Sequence, residues 1–163
     1  MNSHQNTPGG SKMRVLYNEL LESWNKNDPG KFSKLFMPDG NVIGFDGSQM
    51  NGQAEINNEL NRIFSNHTVA SFIGIVREVR KIGDNVFVLR AVAGMYPGGS
   101  VIINEKVNTI QTLIAQEDQG HLRIAVFQNT PAALHERPDL SVQLTKELQE
   151  VLTQKNRLNS TTQ

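Results

Sequence analysis

What constrains this chain most is the order of its two hydrophobic periods. Up to residue 66 the apolar side chains recur at helical spacing, and between 71 and 130 β-branched and aromatic residues dominate. The second region divides into runs at 71–82, 85–96, 101–115 and 121–130. Gly83-Asp84-Asn85, Pro97-Gly98-Gly99 and Glu117-Asp118-Gln119-Gly120 supply the turns between them. Sequential strands with short links form an antiparallel meander. Helices first and strands after predict an α+β layer arrangement rather than alternating βαβ units. The 163 residues, 37% of them hydrophobic, furnish one core and not two.

Within the helical part, Met13, Leu16, Leu20, Leu21 and Trp24 predict an amphipathic helix over 11–27, with Ser11 placed to cap it. Asp28-Pro29-Gly30 stops it. Phe32, Leu35 and Phe36 suggest a second short helix closed by Met37-Pro38-Asp39-Gly40. A short strand at 41–45, an Asp46-Gly47 turn and a third helix over 53–66 follow. The polar opening, 1–10, has little to bury and reads as a disordered tail. The domain proper spans 11–134. The remaining 135–163 is a partly helical extension whose last residues, from Asn156, should fray.

The strands are apolar on both parities: Val86, Val88 and Val92 alternate with Phe87, Leu89, Ala91 and Ala93. Helices cover one face, so the other is expected to meet a second copy of the chain, giving a homodimer through the convex face of the sheet. Sixteen basic and sixteen acidic side chains cancel, and no run of like charge invites nucleic acid. No cysteine is present, so there is no disulfide framework, thiolate nucleophile or cysteine metal site. No eighteen apolar residues run together and no signal-like segment opens the chain, so no membrane partner is expected and the default location is cytoplasmic.

The last strand reads Ile124-Ala125-Val126-Phe127-Gln128-Asn129-Thr130-Pro131, which resembles the Ile-Ala-Ala-Phe-Gln-Asn-Thr ending of SgcJ/EcaC proteins, a branch of the nuclear transport factor 2-like superfamily. Val76-Arg77, the run Val107-Asn108-Thr109-Ile110-Gln111-Thr112, and Asp46-Gly47 ahead of Gly52-Gln53-Ala54-Glu55-Ile56 extend the likeness over 11–134. Leu122 stands where that family has a tryptophan. The resemblance implies a cystatin-like cone, often dimeric, with a pocket between three helices and a curved antiparallel sheet. Its relatives include SnoaL-type cyclases, ketosteroid isomerases and a kinase association domain, so fold alone does not carry function.

Two arginines in apolar strands, Arg77 and Arg90, must be paired if shielded, either to a carboxylate such as Glu78 or Glu105 or to an anionic ligand. Similarity to the kinase association domain favours Arg90 as a pocket residue and puts Asn129 in place of a second pocket arginine. Phe127 would share the face of Asn129. Asn108 and Thr112 of the matching run are further ligand-binding candidates, and Trp24, Phe45, Phe36 and Met50 suit pocket walls. The reading is a small-molecule-binding homodimer whose ligand carries an anionic or carbonyl group. An isomerase, cyclase or hydratase would need a pocket base, for which Glu105, Asp28 or His67 is the candidate, and a dimeric scaffold with a vestigial pocket is the third alternative. No catalytic residue is assigned. His4, His67, His121 and His135 lack metal-ligand spacing, and no Gly-x-Gly-x-x-Gly run marks a dinucleotide site, so neither metal nor cofactor is expected.

Overall fold

The computed structural model describes residues 8–162. Helix α1 (Pro8–Asn25) puts Met13, Leu16, Tyr17, Leu20 and Leu21 on one buried stripe. It begins three residues before the expected cap, so residues 8–10 are helical rather than tail; 1–7 lie outside the described residues. The reason is contact. Gly9 lies so close to Phe87 that an added Cβ would fall 2.5 Å from the ring, and the bare glycine lets the first turn pack there. Helix α2 (Pro29–Lys34) is capped by Asp28, whose Oδ1 accepts from Lys31 N at 3.0 Å.

Strand β1 (Phe36–Ile43) starts at once, where the sequence suggests helix and turn. It runs parallel to β6 (His121–Pro131), and Pro38 falls in the stretch between Phe36 and Asn41 where the register shifts, so its missing N–H removes no ladder bond. Strand β2 (Gln49–Asn51) folds back antiparallel on β1, and α3 (Gly52–Asn66) follows. With β3 (Ser71–Gly83), β4 (Val86–Tyr96) and β5 (Thr109–Asp118), the sheet has the order β2-β1-β6-β5-β4-β3. The expected strand over 101–115 is shorter at its start. Residues 101–108 form a loop with one 3-10 turn, Glu105–Val107, and β5 begins at Thr109.

Two bulges set which residues face the helices. Between β5 and β6 the register shifts at Ile114/Ala115, so Ile124 and Phe127 both turn inward although they differ in parity. In β3 the shift between Val76 and Glu78 puts both Arg77 and Glu78 on the opposite side, where they pair with Glu147 and Arg90 respectively. The inner face, with Phe87, Leu89, Ala91, Ala93, Leu113 and Ala115, packs on the stripe of α1 and on Ile56 and Leu60 of α3.

The second apolar face is answered in part by the chain itself. Helix α4 (Pro138–Ser160) is unbroken and runs past the point where fraying was expected. Its buried Leu144, Leu148 and Leu152 recur every four residues and pack on Ile73, Val92 and Ile103. Gly94 leaves the room: a Cβ there would stand 3.1 Å from Leu148 Cδ1. The rest of that face, Val88, Ile110, Ile114 and Val126, remains partly or largely exposed. Among the described residues no helix is long and apolar enough to cross a membrane.

Candidate functional site

Between the helices and the inner face lies a cavity of about 270 Å³. One wall is aromatic. The indole of Trp24 meets Phe64 edge-on at 5.2 Å between centroids and Phe72 at 5.5 Å. Its Nε1–H donates to Ala70 O at 2.9 Å, which fixes the ring. The neighbouring Asn25 clips the end of α1 to the start of β3: its Nδ2 donates to Phe72 O, and its Oδ1 accepts from Phe72 N. Leu60 and Ile63 of α3, with Met50 and Met95, extend the apolar lining.

Polar groups reach the cavity at two places. At its mouth, the 44–48 turn contributes Phe45, Asp46 and Ser48. Asp46 Oδ1 accepts from Ser48 Oγ at 2.6 Å and from Ser48 N at 2.9 Å; these bonds, the hydroxyl's first, hold the carboxyl below its ordinary range. It is therefore anionic at neutral pH and a weak base. At the floor stands Asn129, 7% exposed. Its Oδ1 accepts from Gln111 Nε2 at 3.1 Å, and Gln111 Oε1 accepts from Tyr17 Oη at 2.5 Å. Gln111 is fully buried, and burial pushes the Tyr17 phenol well above its ordinary value.

Of the eight ligand-binding candidates read from sequence, Trp24, Phe45, Phe127 and Asn129 line this cavity. Arg90 does not. It lies on the outer face with 57% of its side chain exposed, and its Nε and guanidinium NH2 donate to Glu78 Oε2 at 3.1 and 2.5 Å. That bond first, and the guanidinium charge after it, lower the Glu78 carboxyl. The even-numbered residues of β4 turn outward, away from α1 and α3. Thr112, paired in register with Arg90, shares that face. Arg77 forms a two-armed ion pair with Glu147 of α4. Asn108 is buried beneath α4, where its Nδ2 donates to Thr145 Oγ1 at 2.8 Å. The candidate bases fare no better: Asp28 caps α2, Glu105 sits in the exposed 3-10 turn, His67 ends α3 in solvent, and none lines the cavity. Sequence reasoning passed over Tyr17 and Gln111. Gln111 carried a signal, being a lone amide at an inward position between Thr109 and Leu113; nothing in the sequence separates Tyr17, four residues after Met13, from the apolar stripe of α1.

This architecture is the cystatin-like, nuclear transport factor 2-like fold. The chain superimposes with a TM-score of 0.73 on a domain of unknown function with a cystatin-like fold from Nostoc punctiforme, at 18% identity over 96% of this chain and 98% of that one. It also matches a nuclear transport factor 2-like protein of unknown function from Shewanella oneidensis (TM-score 0.61, 11% identity, 74% and 97% covered). A ketosteroid isomerase-like protein from Erwinia carotovora atroseptica gives 0.62 at 11% identity, covering 81% and 98%. At such identities the likeness shows the fold alone. No family model and no curated protein matches the sequence.

Proposed function

We propose that this chain is a small-molecule-binding protein of the nuclear transport factor 2-like fold, that it is a member of the SgcJ/EcaC branch, and that it works as a homodimer. The observation that carries the binding reading is the cavity: apolar walls, one buried amide at the floor and an open mouth. The motif that suggested the branch, Ile124 to Pro131, lies in β6 and supplies Phe127 and Asn129 to that cavity. A solved neighbour described as ketosteroid isomerase-like supports an apolar, ring-sized ligand for this one. The exposed remainder of the outer face supports a second copy as its cover.

The binding reading is tested with an uncharged bicyclic hydrocarbon. Trp24 is the sole tryptophan, so its indole N–H gives one NMR signal from the cavity wall. Titration with 2-ethylnaphthalene should move that signal saturably. Met50→Phe, which narrows the space from the β2 side without adding a second indole, should weaken the response in a protein of unchanged melting temperature. An unmoved signal in the wild type removes the cavity as a binding site.

A further inference from the structure

We propose that the cavity selects a neutral carbonyl oxygen, and that the hydrogen-bond chain Tyr17–Gln111–Asn129 makes this selection by fixing which end of the Asn129 amide faces the ligand; this rests on the binding reading above. The argument starts at the buried end. Burial keeps Tyr17 protonated, and its hydroxyl has Gln111 as its hydrogen-bond partner among the described residues. The O–H proton therefore goes to Gln111 Oε1, because the reverse orientation of the amide would bury that proton without an acceptor. With Oε1 occupied, Gln111 presents Nε2 to its other neighbour and must donate to Asn129 Oδ1. Asn129 is left with Nδ2–H₂ toward the cavity, a group that only donates and that has no partner among the described residues. Each link is set by the one before it, so the polarity of the floor is decided at Tyr17, a residue that does not itself line the cavity.

The charge of the acceptor follows from the lining. The cavity has no lysine, arginine or histidine among the residues that form it, and its one charged group, Asp46, is an anion at the mouth. A carboxylate entering here would shed its hydration for a single neutral donor and pass an acid on the way. A ketone, aldehyde or ester loses far less and gains the same bond. With Arg90 on the outer face, the anionic option falls and the carbonyl option stands.

Three probes of one shape test this: 2-acetonaphthone, 2-ethylnaphthalene and 2-naphthoate. The ketone should bind up to about tenfold more tightly than the hydrocarbon, the worth of one neutral hydrogen bond, and the carboxylate more weakly than either. The ketone alone should shift the Asn129 side-chain amide protons in the wild-type protein, a readout that needs no variant. Tyr17→Phe frees the amides to turn over and should reduce the ketone-to-hydrocarbon ratio to near one while hydrocarbon affinity holds. Equal wild-type affinities for ketone and hydrocarbon, preference for the carboxylate, or an unchanged ratio in a folded Tyr17→Phe protein would overturn the inference and leave the binding reading intact. If no probe binds, the binding reading fails and the inference with it.

Discussion

At the scale of single residues, Gly74 shows how closely the buried chain is fitted. A Cβ on Gly74 would stand 2.2 Å from Tyr17 Oη and 2.9 Å from Leu21 Cδ1, so the phenol occupies the space a side chain of β3 would take. Gly74→Ala therefore has to displace Tyr17 and break its bond to Gln111. Overpacking of this kind costs about 1–3 kcal/mol. The melting temperature should fall accordingly, and the fall should shrink in a Tyr17→Phe background, where the clashing oxygen is gone. Additive losses in that double-mutant cycle would mean that Gly74 matters for some reason other than the hydroxyl. Arg90 teaches the complementary lesson: a charged residue inside an apolar run reads as buried, but the register of β4 turns it outward to Glu78.

Among the elements, α4 is the one that changes the meaning of the strands it covers. Leu144, Leu148 and Leu152 seal the outer side of β3 and β4, and Gln149 ties the helix to the loop before β5, accepting from Ile103 N at 2.9 Å and donating to Val101 O at 2.7 Å. The Arg77–Glu147 pair adds an acid-sensitive link. The hydrogen bonds from Arg77 hold the Glu147 carboxyl below its ordinary value of 4.5. A group depressed in the folded state stabilises it fully above the unfolded value, and that contribution disappears as pH falls through the lower, folded one. Glu147→Gln should thus lower the melting temperature slightly at neutral pH, and the gap to wild type should close in acid. A gap of constant size across that range would show that the ion pair contributes nothing. Both side chains are well exposed, so the effect is that of a surface pair, small and screened by salt.

For the whole molecule, the open matter is the part of the outer face that α4 leaves uncovered. Ile110, 42% exposed, sits there with Val88, Ile114 and Val126. Light scattering on the full chain should give twice the chain mass, and Ile110→Lys should return it to one, because a charge in an apolar interface has no partner. A wild-type monomer would refute the homodimer.

By itself, the sequence determined the layers: the change from helical to strand periodicity near residue 70 dictates helices on a meander, Trp24, Phe45 and Met50 were legible as wall residues, and Phe127 and Asn129 came from the family resemblance. Only the tertiary structure decided the rest, because those decisions depend on chain segments distant in sequence. The start of β1 depended on a parallel partner 88 positions later, Phe36 against Ile124. The outward turn of Arg90 and the inward turn of Phe127 depended on bulges and register, which shift a whole strand's parity by one residue and leave no local mark. The polarity of the floor depended on Tyr17 and Gln111, 94 residues apart, meeting in a place where water cannot substitute for either.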